Sequence, residues 1–476
     1  LETDSAGNKN MKTLEGQVFE DNTIVEFSYD INEKDTLLRW KPLRVRYDKT
    51  AEFRSGGRNF GNPYHVANSN WHTIHSPITN EMITTGDFIP DEEVDDDIYY
   101  NRVSRSTATR GLRDFHNLVV KKTLITSVAS RGDSLIDFAV GKGGDFSKWI
   151  ASKLSFVFGI DISSDNIENK IDGACARYLN YRKQYKSMPN ALFVNGNSGL
   201  NIKNGMALFN ERDKLTTGAI FGEGPKDIAK LGKGVYRQYG KGSQGFNISS
   251  CQFALHYFFE NQTTCSGFLT NVAECTQLGG YFIGACYDGN LIFNDLLNKD
   301  KGESLLIMEE DKKIWEVTKE YNKNVFDPDV SSLGYAINVY QESINKTFKE
   351  YLVNFDYLTR LMENFGFIPL PLDEAKEIGL KNGIGSFSEI FNKLEQDIKR
   401  RPYLKNDIGA SLEMSIGEKR ISFYNKYFIF KKIRIVDAKQ VGHSIGDVSL
   451  IQGENIKEET TKLSEKVLDK KSDTKK

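Results

Sequence analysis

The stretch from Leu135 to Trp149, LIDFAVGKGGDFSKW, constrains this chain more than any other. Leu135, Ile136 and Phe138 are apolar around Asp137, as in a buried strand. Gly141, Gly143 and Gly144 then remove side chains where the backbone must turn tightly and a ligand must come close. Asp145 and Trp149 begin an amphipathic helix, and a second apolar strand, Phe156 to Ile160, ends in Asp161. Strand, glycine turn, helix, strand and acid together predict an α/β fold with a doubly wound, Rossmann-like sheet. Such sheets put a nucleotide-like ligand at the carboxyl ends of their strands. A nicotinamide cofactor is disfavoured, because the G-x-G-x-x-G spacing has Ala139 where its first glycine belongs. An acid in the position of Asp161 can accept both ribose hydroxyls of any adenosine-containing cofactor.

Length allows two to three domains, each with its own core, in 476 residues. The net charge of -2 gives no global attraction to nucleic acid or membrane, so any basic groove must be local. No apolar run approaches the ~20 residues of a membrane-spanning helix, and no signal peptide is expected. Five cysteines without a C-x-x-C pair read as reduced core cysteines of an intracellular protein, with neither disulfides nor a metal site. The first residue, Leu1, suggests a piece of something longer.

In chain order, residues 1–11 are polar and expected to be disordered. VFEDNTIVEFSYD alternates around a D-N turn and predicts a hairpin. In WKPLRVRYDKT, Leu43, Val45 and Tyr47 alternate against Arg44, Arg46 and Asp48, so residues 12–92 are expected to form a small β-barrel of the OB type. An acidic linker, Pro90 to Asp97, leads through residues 93–103 into a main domain over 104–436. Its expected elements are a helix from Gly111 to Ser127, a long helix in SSDNIENKIDGACARYLNYRKQY and a short strand at Ala191 to Val194. A lysine-bearing, glycine-rich excursion over 211–245 follows, of a length that is usually disordered or functional. Phe246 to Glu260 predicts a strand running into a helix, Gly279 to Ala285 a strand, FKEYLVNFDYLTRLMENFGF a helix, and Ile421 to Ile433 a strand. Residues 437–476 have few aromatics and read as a disordered charged tail.

Three motifs carry a resemblance that spans about 330 residues. DFAVGKGGDFSKW resembles the cofactor turn of the messenger-RNA cap guanine-N7 methyltransferases, SSCQFALHYFFE their Gln-Phe and His-Tyr segment, and KEYLVNF their Glu-containing helix start. The resemblance implies S-adenosylmethionine as cofactor and the N7 of a guanosine cap on RNA as acceptor. It carries cofactor contacts onto Lys121, Ala139, Gly141, Asp145, Asp161, Asn197, Gln252 and Phe253. FHNLVVKK has one residue more than the family's spacing, so Lys122 competes with Lys121. Asn197 stands where the family has Asp, and its amide can still accept from the adenine amine. Cap-side contacts fall on Lys142 and Arg177 for the triphosphate, and on His256, Tyr257 and Glu350 around the guanine.

WKPLRVRYDK resembles the last motif of capping guanylyltransferases, whose Arg-x-Asp-Lys run contacts nucleotide phosphates; no K-x-D-G nucleophile is present here. Guanylyltransferase and triphosphatase domains are therefore expected upstream in the same polypeptide. That fusion looks most like the multifunctional capping enzymes of large cytoplasmic DNA viruses, which implies the host cytoplasm or virion and no membrane. Two other readings stand beside methyl transfer to a capped RNA 5′ end: transfer to another small acceptor, and a non-catalytic RNA-binding subunit that kept the fold.

Overall fold

The computed structural model describes residues 2–3, 9–57, 60–62, 64–75, 109–342, 344 and 346–445. The chain forms two units, 1–94 and 95–476. The expected linker at 93–103 lies outside the described residues.

Among its described residues, the first unit holds a three-stranded antiparallel sheet of Glu2–Thr3, Lys9–Lys12 and Val18–Phe19, and a separate pair, Val25–Tyr29 with Trp40–Val45. Helices follow at Tyr47–Arg54 and Tyr64–His75. The expected disorder of residues 1–11 is thus corrected where they are described. The hairpin partners are corrected too. Val25–Tyr29 finds a longer ladder in Trp40–Val45 than Val18–Phe19 offers, and the Gln17 side chain accepts from Val45 N at 2.6 Å. The barrel expectation finds only these two small sheets among the described residues. The WKPLRVRYDK strand stops at Val45, because Arg46 pairs with Asp48 at 3.2 Å and places that acid in the first turn of a helix.

In the second unit the central sheet is built from β1 (Ser134–Asp137), β2 (Phe156–Asp161), β3 (Asn190–Asn195), β4 (Phe246–Gln252) and β5 (Thr276–Tyr287), all parallel. A four-stranded antiparallel sheet comes next: β6 (Ser304–Glu309), β7 (Lys312–Lys319), β8 (Ala336–Gln341) and β9 (Lys346–Tyr351). β10 (Phe367–Pro369), β11 (Ile384–Ser386) and β12 (Asn425–Lys432) complete the central sheet, whose order is β10-β12-β5-β4-β1-β2-β3 with β11 also paired to β12. β12 runs antiparallel to β5. The order reverses between β1 and β4, so the crevice of a doubly wound sheet opens at their carboxyl ends.

Period-two alternation builds a core on each face of this sheet. Phe156, Phe158 and Ile160 of β2 point to one side with Phe246 and Phe282, while Val157 joins Leu135, Ile248 and Ile283 on the other. The covering helices include α1 (Lys121–Val128), α2 (Phe146–Ala151), α3 (Ala174–Gln184), α4 (Glu211–Phe221), α5 (Ile228–Tyr236), α6 (Gln262–Cys275), α7 (Phe355–Asn364), α8 (Phe387–Arg400) and α9 (Ile416–Phe423).

Several element expectations change. KEYLVNF is strand β9 before it is helix: Phe348, Glu350 and their neighbours pair with β8, and α7 starts only at Phe355, where Asn354 caps Asp356 N and Tyr357 N. Ile421–Phe423 belong to α9, started by a Ser415–Glu418 capping box, so the last strand begins at Asn425. The long helix after β2 breaks into Ser164–Glu168 and α3. The 211–245 excursion is helical in α4 and α5. Residues 438–444 of the expected tail form a helix seated on α6 through Ser266 Oγ to Gly442 O at 2.7 Å.

The tightest contact in the sheet is at Gly284 of β5, where an added Cβ would lie 2.1 Å from Cys251 O and 2.4 Å from the Phe428 ring. Gly284→Ala must push β4 and β12 away from β5. We expect a loss of about 1–3 kcal/mol in urea unfolding, and a variant as stable as the parent would contradict this packing.

Candidate active site

The crevice wall on the β1 side is the glycine turn. Gly141 and Gly143 take φ values of 53° and 72°, which other residues rarely adopt, and a Cβ at Gly143 would fall 2.2 Å from the Phe146 ring. Gly141 N donates to Asp161 Oδ2 at 2.7 Å, tying the turn to the end of β2. Asp161 Oδ1 accepts from Ser163 N and Asn166 Nδ2, both at 3.0 Å. Burial pushes the Asp161 pKa up in spite of these bonds. Three donors leave this carboxylate about one of its four acceptor positions, enough for one ribose hydroxyl and not for the two expected from sequence.

The floor is ionic. Lys121 Nζ lies 3.3 Å from Asp145 Oδ2, and Lys148 Nζ lies 3.0 Å from Asp145 Oδ1. Burial would raise the Asp145 pKa, but the two ammonium groups outweigh it and hold the carboxyl below its usual range. Lys148 itself is buried, donating to Gly144 O at 2.9 Å and to Asn117 Oδ1. The competition between Lys121 and Lys122 is resolved by local geometry. Phe115–Val120 forms a π-helical turn, which absorbs one extra residue, and the register it leaves directs Lys121 to Asp145 while Lys122 is exposed.

Across the switch point, β4 ends at Gln252, whose Oε1 is buried without a hydrogen-bond partner. Phe253 follows with φ 57° and stacks on His116 at 5.1 Å between ring centroids. A 3-10 turn, Leu255–Phe259, then carries His256 and Tyr257, their rings 4.2 Å apart. Glu350 reaches the same place from β9, with Oε1 3.6 Å from His256 Nε2. Both are buried, and neither His256 nitrogen nor Glu350 Oε2 has a hydrogen-bond partner. Burial lowers the His256 pKa to about 3 and raises that of Glu350 to about 8. At neutral pH the contact is therefore between two uncharged groups, and not an ion pair.

The other expected residues are placed as follows. Ala139 N donates to Asp137 Oδ1 at 3.2 Å, beneath the turn. Asn197, in the loop after β3, spends its Oδ1 on Gly199 N at 2.8 Å. Lys142 departs from its expected role: its ammonium is buried between Asp165 Oδ2 at 2.8 Å and Asp172 Oδ1 at 3.0 Å, so its charge is already matched. Arg177 donates to the carbonyl of Lys142 and sits over the Phe146 ring, bracing the turn while remaining partly exposed.

Sequence reasoning missed four groups. Asp137 is a buried carboxyl whose pKa is pushed to about 7 by desolvation and then by Asp145. His116, Asn117 and Lys148 support Phe253 and Asp145 from behind. The signal for Asp137 was present, as a lone acid in an apolar strand. The others become visible only once the helix before β1 is folded against the turn.

A switch-point crevice with a glycine turn, an acid ending the second strand and an antiparallel last strand defines the class I methyltransferase type of α/β fold. The family model of the mRNA (guanine-N(7))-methyltransferase domain matches residues 96–212 and 231–433, and the chain belongs to that family. It is 27% identical over 468 residues to a protein of Acanthamoeba polyphaga mimivirus described as a probable mRNA-capping enzyme, covering 92% of this chain and 38% of that one. It is 28% identical over 296 residues to the mRNA cap guanine-N(7) methyltransferase of Saccharomyces cerevisiae, covering 60% of this chain and 58% of the yeast protein. The corresponding Candida glabrata enzyme is 26% identical over 365 residues, covering 75% and 76%. The chain thus spans less than two thirds of the first two relatives.

The π turn makes a sharp prediction. Deleting Leu118, a half-buried residue of that segment that sits between Asn117 and the Val119–Val120 pair, restores ordinary helical spacing between Phe115 and that pair. The shortened protein should fold and bind S-adenosylmethionine within about threefold of the parent, by calorimetry, whereas Lys121→Met should weaken binding about tenfold, the loss of one charge-assisted contact. Failure of the deletion to fold would show that the turn is needed for more than register.

Proposed function

We propose that this chain transfers the methyl group of S-adenosylmethionine to N7 of the guanosine cap of an RNA. The observation that carries the reading is the buried, uncharged and unpartnered His256–Glu350 contact beside the switch-point crevice. Buried polar atoms without partners are costly, about 1–3 kcal/mol each, unless a ligand completes them. Guanine fits: its N1 and N2 hydrogens donate to a carboxylate, and adenine offers no equivalent pair.

The cofactor would supply a methyl on a sulfonium, which breaks from sulfur as it bonds to the in-plane N7 lone pair, so no general base is required. The residues present fit such a group. Asp161 offers its remaining acceptor position to a ribose hydroxyl, Gly144 leaves open space at the backbone of the turn, and Lys121 stands at the far end for a carboxylate. What this chain then contributes is placement. Tyr257 and the 3-10 turn flank the acceptor base, Glu350 fixes its edge, and burial keeps water out. Arg177 is the cation we assign to the cap phosphates, since Lys142 would first have to leave two carboxylates.

The similarity to the mimivirus protein supports the finer reading that guanylyltransferase and triphosphatase domains precede this region in one polypeptide. It also supports action in the host cytoplasm or virion.

A pH profile tests the guanine edge. Glu350 accepts two N–H donors only as a carboxylate, and its pKa near 8 keeps it protonated at neutral pH in the free protein. Cap binding therefore releases a proton, and kcat/KM for capped RNA should rise with pH through neutrality, reach half its maximum near pH 8 and level off above it. Glu350→Gln should flatten that rise and lower kcat/KM at pH 8 by about 10- to 150-fold, the worth of a charged hydrogen bond, with calorimetric cofactor affinity intact. Asp161→Ala should do the reverse and remove cofactor binding. A Glu350→Gln variant with the parent's profile and rate would sink the assignment.

A further inference from the structure

The excursion between α4 and β4 has no role in the site just described, and its first part, 222–230, falls outside the family match together with most of α4. Its position follows from the topology. Phe209 N bonds Asn195 O at the carboxyl end of β3, and α4 then runs back along the sheet for about 16 Å at 1.5 Å per residue. Gly240 N to Ala219 O and Gly242 N to Ile220 O, both 2.8 Å, close the stem just before β4 begins at Phe246. The intervening segment therefore lies at the amino ends of the strands, opposite the crevice.

That segment is basic in a chain that is otherwise slightly acidic. Between Glu223 and Lys241 it carries Lys226, Lys230, Lys233, Arg237 and Lys241 against Glu223 and Asp227. All five cations are exposed, and among the described residues none is in an ion pair with Asp or Glu, in contrast to Lys121, Lys142 and Lys148. Tyr236 and Tyr239 stand among them, with Lys226 Nζ 5.5 and 5.4 Å from their ring centres. The Tyr239 hydroxyl reaches Gly222 O at 3.0 Å and Gly224 O at 2.6 Å, which fixes the ring on the stem. Gly232, at φ 71° and ψ 157°, breaks the helical course of α5 between Lys230 and Lys233, so the two do not lie on one continuous helical stripe.

We propose that this surface binds the single-stranded body of the capped RNA, downstream of the nucleotides held in the crevice. Exposed cations that track a phosphate backbone, with aromatic rings between them, are the arrangement that holds single strands without reading sequence. An acidic peptide would answer to the charges but would make no use of the rings. The proposal rests on the cap-methylation reading for the identity of its ligand, not for the measurement that tests it.

The test is binding of uncapped single-stranded RNA to the full chain by fluorescence anisotropy across a salt series. It compares the parent with the triple variant Lys230→Glu, Lys233→Glu, Arg237→Glu. Three lost phosphate contacts should flatten the slope of log affinity against log salt by about 2, at roughly 0.7 per contact, and weaken binding at least tenfold in low salt. KM for long capped RNA should rise likewise, while turnover of a capped dinucleotide stays at the parent's value, showing the fold and crevice intact. Unchanged RNA affinity and slope in the triple variant would overturn the proposal, as would tighter binding of polyglutamate than of RNA by the parent. If the parent methylates no cap at all, the cap reading fails and the anisotropy series still decides the surface.

Discussion

Two carboxylates hold the glycine turn, one from each side, and the rest of the crevice depends on that grip. Asp161 takes the Gly141 amide from the end of β2, and Asp145 is pinned below by Lys121 and Lys148. Each carboxylate is buried, so each is costly unless its partners stay in place. The turn is consequently built from both flanks of the sheet and cannot move without exposing an unpaired charge. The Lys142 ammonium between Asp165 and Asp172, with Arg177 on the Lys142 carbonyl, extends the same bracing outward. A site made for a small, rigid ligand needs such a frame, because positional precision is most of what this chemistry asks of the protein.

The opposite wall follows the other rule. Around the glycine turn the charged groups are paired, although Trp149 Nε1 and Asn166 Oδ1 are buried without a hydrogen-bond partner; at His256, Glu350 and Gln252 buried polar atoms are likewise left open. Each such atom costs about 1–3 kcal/mol to bury. The open atoms of His256, Glu350 and Gln252 are those that the proposed reading gives to a ligand, and they lie on the β4 side of the switch point between β1 and β4.

Much of this was legible in the sequence where the signal is local. The turn, the acid at the end of β2 and the strand running to Gln252 are contiguous patterns of apolar alternation and glycine, and the structure keeps them. Failures came where a partner distant in sequence decides. Glu350 looks like a helix start in isolation, but β8 offers it a ladder, with Ile337 opposite, and the strand extends to Tyr351. Lys142 looks like a free cation in a loop until the helix breaks at residue 169 and brings Asp165 and Asp172 around it. The extra residue before Lys121 could be counted but not placed, since a π turn gives no compositional mark. The first unit was the least legible: its strands are short, and their pairing is set by contacts between segments far apart in sequence, such as Leu14 N to Pro42 O and Val45 N to the Gln17 side chain.

The charge states of the crevice bear on the direction of the reaction. In a methyl transfer from a sulfonium to guanine N7, positive charge leaves the donor and appears on the base. A fixed carboxylate beside the donor would favour the reactant, whereas one that forms beside the acceptor favours the product. Asp145 sits on the cofactor side but is neutralised by two lysines, and Asp137, with a pKa near 7, is only partly ionised. On the proposed reading, Glu350 is uncharged until guanine's own hydrogens draw it into ionisation, with a neutral His256 alongside. The negative charge then arises where the positive charge will develop, in a buried place where it is weakly screened. On that reading, burial of an apparently idle glutamate is a way of keeping the field off until the correct base is bound.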